Sequence, residues 1–288
     1  MARIEPLTRR RFNARLFRWH DLARRPLAIR DAESPWETLV GEVMSQQTGI
    51  ARVGPAWRSF VDRWPTPATL AAADTRDVLA AWAGLGYNRR ALALREAARR
   101  ITDTHDGRVP ASVESLGLLP GVGPYTARAV AAAAFGAPVA PLDVNVKRVA
   151  SRVVGGTLSA AQLQVAADGL VSRARPGRWV DAVMDLAVAV CTRRAPRCAV
   201  CPVAAVCASR GTIGSAERRR VSPRFTSTTR WLRGRLVASL LDAPPRAWVA
   251  VPDRLGAHDA DAVRTAARAL AEEGFLEIRD GRVRLRPG

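Results

Sequence analysis

All four cysteines of this 288-residue chain fall in one short window near its C-terminal third. They are Cys191, Cys198, Cys201 and Cys207, with the spacing C-x6-C-x2-C-x5-C. Four thiolates so close together, with none elsewhere, predict ligands for a single metal centre. An iron–sulfur cubane takes four cysteine ligands, whereas a structural zinc site usually shows two C-x2-C pairs. Disulfides are the weaker alternative, because nothing in the chain suggests export.

The charge balance predicts a polyanionic partner. The formal net charge is +19 and the pI is near 11.5, which favours nucleic acid first and a membrane surface second. Of the 45 basic residues only Lys147 is a lysine. The most apolar stretch, residues 127–142, is interrupted by Arg128, Gly136 and two prolines, so we do not expect it to span a bilayer. Since no signal peptide is recognised, we expect a cytoplasmic protein with reduced thiols and no membrane partner.

Helical periodicity dominates the first two-thirds of the chain. Two segments, beginning at Trp36 and at Trp57, place apolar residues at i, i+3, i+4 and i+7. Further helices are predicted over residues 76–83, 88–101, 129–134 and 179–190, the third of these rich in alanine and suited to close packing. No alternating strand pattern occurs before about residue 245.

The C-terminal part changes in composition. Residues 209–226, with their glycines, serines, threonines and arginines, predict a basic linker. Beyond it we predict helices over 231–241 and 260–273, then a hairpin over 276–285 with Asp-Gly at its turn. Two helices followed by a hairpin suggest a winged-helix-like module, and a stabilising cap without a partner is the alternative.

Three further segments carry the functional signal. L-P-G-V-G-P-Y-T-A at residues 119–127 looks like a helix–hairpin–helix turn, in which Gly121, Val122 and Gly123 would present backbone to a DNA phosphate. L-D-V-N-V-K-R follows at residues 142–148, and G-E-V-M-S-Q-Q-T lies upstream at residues 41–48. With the cysteine spacing, these motifs resemble the helix–hairpin–helix–GPD (endonuclease III) superfamily of DNA glycosylases. The similarity is greatest to its adenine DNA glycosylases, the MutY family.

The resemblance implies an all-α fold. It covers roughly residues 25–208 and implies a glycosylase core at 1–208 with a [4Fe–4S] cluster on the four cysteines. A six-helix subdomain is expected at about 25–140, and a cluster subdomain at 1–24 and 141–208. The linker and a winged-helix-like module at 227–288 complete the predicted organisation.

The resemblance also assigns the chemistry. Burial of Glu42 would raise its pKa, so that it could protonate adenine N7. Asp143 would stabilise the oxocarbenium-like sugar, and Asn145 would hydrogen-bond nearby. The strand-cutting relatives carry a lysine where this chain has Tyr125, so no Schiff base is expected there and the glycosylase is predicted to be monofunctional.

Contacts with an extruded base follow from the same resemblance. Gln47 and Tyr87 would wedge into the duplex beside the estranged base, and Lys147 would contact DNA near the lesion. Arg30, Ile29 and Ser45 would line the base pocket. Ile29 replaces a tryptophan of the family and Ser45 a leucine, and these two changes would alter both the shape and the hydrogen bonding of the pocket.

These features predict excision of mispaired adenine, opposite 8-oxoguanine or guanine, from duplex DNA in base excision repair. A thymine or uracil mismatch glycosylase and a catalytically silent iron–sulfur DNA-binding protein are the alternatives. Residues 227–288 are too short for the Nudix-like domain that reads 8-oxoguanine in typical members of the family. We expect a monomer associated with the nucleoid.

Overall fold

Helices account for most of the fold. The structure, a computed structural model, describes residues 4–211 and 224–287. In chain order its helices are α1 (Pro6–Ala23), α2 (Pro35–Ser45), α3 (Ile50–Arg63), α4 (Pro67–Ala71), α5 (Thr75–Ala81), α6 (Arg89–Thr104), α7 (Val113–Gly117), α8 (Pro124–Phe135), α9 (Val144–Val154), α10 (Ala160–Leu170), α11 (Pro176–Ala189), α12 (Thr229–Asp242) and α13 (Ala260–Glu272). The strands are β1 (Val249–Ala250), β2 (Leu276–Arg279) and β3 (Arg282–Leu285). Within these residues no helix is both long and apolar enough to cross a membrane.

Every helix predicted from apolar periodicity is present, with ends shifted by a few residues in most cases. Apolar periodicity did not predict α1, whose buried positions, among them Phe12 and Leu16, are separated by arginines. The helices α4, α9 and α10 and the short strand β1 were not predicted either. Most of the predicted basic linker, residues 212–223, lies outside the described residues.

The described residues form two units by their contacts: residues 4–42 with 109–211, and residues 43–108 with 224–287. Helix α2 runs across the first division, which falls between Glu42 and Val43. This division does not coincide with the predicted subdomain bounds, which stay a prediction.

The first unit contains α1 and α7–α11. Its core includes Phe12, Leu16, Trp179 and Leu186, all almost fully buried. Gly177, in the first turn of α11, packs against α8 so closely that a Cβ there would lie 2.9 Å from the Cα of Ala133. The alanine-rich run of α8 therefore permits the close packing that the sequence predicted.

The second unit contains α3–α6 and the C-terminal module. Its helical core is aromatic: the ring centroid of Phe60 lies 4.6 Å from that of Trp64 and 5.8 Å from that of Trp82. In the module, α12 and α13 accompany an antiparallel sheet of order β1-β3-β2. Asp280 and Gly281 both have positive φ, at 48° and 69°, as a two-residue hairpin turn requires. The two predicted helices and the predicted hairpin are present, while the winged-helix-like assignment of the module stays a prediction.

Candidate active site

Asp143 is the N-cap of α9. Its Oδ1 accepts hydrogen bonds from the backbone amides of Asn145 at 2.9 Å and Val146 at 2.7 Å, and its Oδ2 accepts one from Asn145 Nδ2 at 2.7 Å. An aspartate before the first helical turn satisfies amides that have no partner within the helix. The three bonds fix the orientation of the carboxylate, and Asn145 lies beside Asp143 as predicted.

Glu42 lies in the third turn of α2. The pKa of Glu42 is raised from 4.5 to about 7. Burial is the largest cause of this shift, and the negative charges of Asp181 and Asp143 also contribute to it. A carboxyl group with this pKa holds a proton at neutral pH and can also release it, which is what a general acid needs.

Tyr125 is the second residue of α8. Burial raises the pKa of its phenol, and Glu42, Asp143 and Asp181 add to the shift in that order. The phenol therefore stays neutral and can donate or accept a hydrogen bond. These electrostatic interactions place Glu42, Asp143 and Tyr125 near one another, although they come from three different helices.

A cavity of about 440 Å³ opens beside Glu42. This volume falls in the range of ~300–1,000 Å³ that is typical of small-molecule sites. Ile29 and Arg30, two of the predicted base-pocket residues, line it. Ser45, the third, is not among its lining residues and belongs to the second unit, where its hydroxyl oxygen is buried without a hydrogen-bond partner among the described residues.

Arg30 lines the cavity, and its side-chain donors are all bound within the protein. Its Nε donates to Asp181 Oδ1 at 2.8 Å, and its two terminal nitrogens donate to the Asp185 carboxylate at 2.9 and 3.0 Å. The carbonyl oxygens of Arg25 and Asp181 accept its remaining bonds, at 2.9 and 3.3 Å. Because all five donors of the guanidinium are used, Arg30 lines the cavity as a support for Asp181 and not as a free donor to a base.

Asp181 and Asp185 were not predicted from the sequence. Burial raises the pKa of Asp181, with Arg30 opposing the shift. For Asp185 burial acts in the same direction, but hydrogen bonds from Arg30 and Arg25 outweigh it and lower the pKa. His20 Nε2 lies 3.1 Å from Asp185 Oδ2, and burial lowers the pKa of the imidazole. Two carboxylates at i and i+4 in the mostly apolar helix α11 were the available signal in the sequence.

Arg148 connects the active site to the cysteine segment. Its Nη2 donates to Asn145 Oδ1 at 3.0 Å and to the Ala187 carbonyl at 3.0 Å, while its Nε donates to the Cys191 carbonyl at 2.8 Å. Arg152, one turn later, donates to Cys191 Sγ at 3.3 Å. The N-terminal half of α9 is therefore tied to the backbone that precedes the cysteine loop.

The four cysteines line one pocket of the first unit, and none of them is in a disulfide. Burial raises the pKa of the Cys201 and Cys207 thiols. Within residues 4–211 and 224–287 no three side chains lie close enough to hold a single metal ion. Four cysteine thiols around one pocket match the number of ligands that an iron–sulfur cubane takes.

Gln47 and Tyr87, the predicted wedge residues, share an uncommon backbone conformation. Their φ angles are +52° and +50°, in the left-handed region that side chains with a Cβ rarely adopt. Such strain persists only where surrounding contacts impose it, and it is frequent at functional sites. Both residues belong to the second unit, Gln47 exposed and Tyr87 partly exposed.

Arg90 holds the two loops that carry these residues. Its Nη1 donates to the carbonyls of Val43 and Met44, both at 2.8 Å, and its Nη2 to Thr48 Oγ1 and the Gly86 carbonyl, also at 2.8 Å. Partial burial lowers the pKa of Arg90 to about 10, so it stays charged at neutral pH. One cation thus joins the end of α2 to the loop before α6.

The helix–hairpin–helix turn joins α7 to α8, as predicted. Gly121, with φ of 76°, and Gly123 are exposed, and a Cβ on Gly123 would meet no atom within 4 Å. The side chain of Val122 is buried and its amide donates to the Leu119 carbonyl at 3.1 Å, so Val122 packs the turn, and its contact with DNA stays a prediction. Lys147 is exposed on α9.

Comparison with known proteins identifies the family. Residues 40–168 match the HhH-GPD superfamily base excision DNA repair protein family. The chain is 39% identical to the adenine DNA glycosylase of Mycolicibacterium smegmatis, over 94% of each chain. The chain belongs to the adenine DNA glycosylase family of the HhH-GPD superfamily.

Similarity to this family extends to eukaryotes. The human adenine DNA glycosylase is 40% identical over 69% of this chain and 39% of its own length. Among solved structures, a thermostable thymine-DNA glycosylase superposes with a TM-score of 0.67 at 27% identity, covering 72% of this chain and 98% of its own. The HhH-GPD fold predicted from the motifs is confirmed.

Proposed function

We propose that this protein is a monofunctional DNA glycosylase that hydrolyses the N-glycosidic bond of adenine mispaired with 8-oxoguanine or guanine. The observation that carries the proposal is Glu42, a carboxyl group with a pKa near neutrality that lines a cavity and lies near Asp143. Close relatives named adenine DNA glycosylase support the choice of adenine. A purine needs protonation before it can leave, whereas a thymine or uracil glycosylase has no such need for Glu42.

In the proposed reaction Glu42 donates its proton to N7 of an adenine bound in the cavity. The bond between C1′ and N9 then breaks, and its electron pair goes to the base. The sugar acquires oxocarbenium character, and the carboxylate of Asp143, held by its three hydrogen bonds, stabilises the positive charge. Water adds to C1′ and gives a proton to the Glu42 carboxylate, leaving an abasic site, free adenine and the acid form of Glu42.

Strand cleavage is not part of the proposed reaction. A Schiff base needs an amine at C1′, and Tyr125 offers only a neutral phenol beside the two carboxylates. We propose that its hydroxyl supports Asp143 or a nearby phosphate. The single lysine, Lys147, is exposed on α9 and is assigned to the DNA backbone.

Base selection is assigned to the cavity wall. Asp181 lines the cavity near Glu42 and is held by Arg30 through Oδ1. A carboxylate oxygen can accept a hydrogen bond from the exocyclic amine of adenine, which thymine and uracil lack. Ile29 supplies an apolar wall where other members of the family have a tryptophan.

The duplex is expected to bind through phosphates and to open at the mismatch. Gly121 and Gly123 leave room for a phosphate at the hairpin turn, and Gln47 and Tyr87 are assigned to the gap beside the extruded nucleotide. The net charge of +19 favours this partner. We propose action on nucleoid DNA by a monomer, since one chain contains every assigned group.

Cys191, Cys198, Cys201 and Cys207 are proposed to hold a [4Fe–4S] cluster. Such a cluster would fix the loop behind α9 and leave the hydrolysis to the carboxylates. Iron and acid-labile sulfide in the purified protein, with broad visible absorbance, are expected. A colourless protein containing one zinc ion would refute this assignment.

A duplex panel tests the activity. Duplexes with A:oxoG, A:G, A:C, T:G or U:G are incubated with the protein and abasic sites are cleaved with alkali. Product from the adenine mismatches, and no strand cleavage before alkali, is expected. Product only from T:G or U:G would overturn the substrate, and binding without any product would overturn the enzymatic function.

A further inference from the structure

The C-terminal module is attached to residues 43–108 at both ends of α12. At the C-terminal end, Arg76 of α5 donates to the Leu240 carbonyl at 3.1 Å, to the Leu241 carbonyl, and to the Ala243 carbonyl at 2.6 Å. The last carbonyls of a helix have no partner within it, and a cation is stabilised there by the helix dipole. Arg76 therefore fixes the position of α12 against α5.

At the other end of α12 the contact is with Tyr87. Arg230 Nη1 donates to the Tyr87 hydroxyl at 2.6 Å, and the guanidinium carbon lies 4.8 Å from the Tyr87 ring centroid. The same carbon lies 4.8 Å from the ring centroid of Phe225, a side chain that is 53% exposed. The guanidinium of this exposed arginine thus contacts two aromatic rings.

Tyr87 receives support from its own loop as well. The guanidinium carbon of Arg90 lies 5.8 Å from the Tyr87 ring centroid, and its Nη2 binds the carbonyl of Gly86, the preceding residue. Arg90 thus holds the backbone that puts Tyr87 at φ +50°, while Arg230 holds the far end of the side chain. A side chain held at both ends loses less conformational freedom when it enters a duplex.

We infer that Arg230 is a positioning residue, through which the C-terminal module holds Tyr87 in the orientation that enters mismatched DNA. The inference rests on the role proposed above for Tyr87. The C-terminal module then takes part in recognition of the mismatch, through the contact between Arg230 and Tyr87.

The test is a double-mutant cycle in the full-length protein. Affinity is measured by fluorescence anisotropy for a duplex with A:oxoG and for the same duplex with A:T, in an Asp143→Asn background that keeps the substrate intact. Arg230→Ala removes a charged hydrogen bond and a cation–π contact, so affinity for A:oxoG should fall about tenfold. Tyr87→Ala should weaken A:oxoG binding as well. In the Tyr87→Ala background, Arg230→Ala should have little further effect.

Arg235→Ala is the matched control, because Arg235 is an exposed arginine of the same helix. It removes the same charge, so it should weaken binding of both duplexes equally and leave their ratio unchanged. Arg230→Lys keeps a charged donor and should restore most of the preference for A:oxoG. Visible absorbance and thermal unfolding of each variant report on the fold.

The possible failures are distinguishable. Should Arg230→Ala and Tyr87→Ala act additively, or should Arg230→Ala behave as Arg235→Ala does, the inference is wrong while the proposed activity stands. Unchanged affinity in Tyr87→Ala would overturn both the role of Tyr87 and the inference. If neither the native chain nor any variant binds A:oxoG more tightly than A:T, the proposed substrate is wrong.

Discussion

Replacing Glu42 with glutamine should change how the stability of the protein depends on pH. In the folded chain the pKa of Glu42 is about 7, compared with 4.5 for an ordinary glutamate. A carboxyl group with a raised pKa binds its proton more tightly in the folded state. Its contribution to stability is therefore full below pH 4.5 and is lost as pH rises through about 7.

The magnitude follows from the size of the shift. A pKa that rises from 4.5 to about 7 corresponds to a loss of about 3 kcal/mol once the group is fully ionised. Glutamine occupies nearly the same volume and stays neutral. The free energy of unfolding of Glu42→Gln, relative to the native chain, should therefore increase by about 2–3 kcal/mol between pH 5 and pH 9. Excision of adenine should be lost at both values, because glutamine has no proton to donate.

Urea unfolding, followed by tryptophan fluorescence and circular dichroism at several pH values, measures this difference. Glu114→Gln is the control, since Glu114 is an exposed carboxylate of α7 in the same unit. Glu114→Gln should change the free energy of unfolding by the same amount at every pH between 5 and 9. If the free energies of unfolding of Glu42→Gln and of the native chain change with pH in the same way, the reasoning is refuted. Glu42 would then ionise as readily in the folded protein as in the unfolded one.

Other substitutions test the remaining groups. Asp143→Asn should keep the helix cap, with stability within about 1 kcal/mol, and should slow single-turnover excision by roughly 10³-fold or more. Asp181→Asn removes a charge that raises the pKa of Glu42, so the alkaline limb of the single-turnover pH profile should move to lower pH; an unmoved limb would contradict the coupling. Tyr125→Lys should allow borohydride to trap a covalent complex with abasic DNA, which the native chain should not form. Cys201→Ser should remove the visible absorbance and lower the midpoint of thermal unfolding, and full retention of both would exclude it as a ligand.

Much of the site could be read from short segments of the sequence. Three segments could be recognised because the spacing of their residues follows from local structure alone. They are the helix–hairpin–helix turn, the segment that carries Asp143 and the cysteine window. The Asp-Gly turn of the hairpin over β2 and β3 is of the same kind, because two left-handed residues are needed at that point whatever the rest of the chain does.

Helix α1 and the acidic pair of α11 could not be found in this way. The pattern of α1 is obscured by its arginines, and a carboxylate in an apolar helix is read as exposed until its partners are known. Arg30 and Asp185 are far apart in the sequence, yet their side chains meet at 2.9 and 3.0 Å.

The sequence by itself determined the family, the helical fold, the four thiols and the identity of the two carboxylates proposed to act on the base. Tertiary structure alone decided that Glu42 has a pKa near 7, that Asp181 lies in the same cavity, and that Arg230 contacts Tyr87. The reason is physical: desolvation and Coulombic energies depend on which distant segments surround a group, and no local spacing encodes those neighbours.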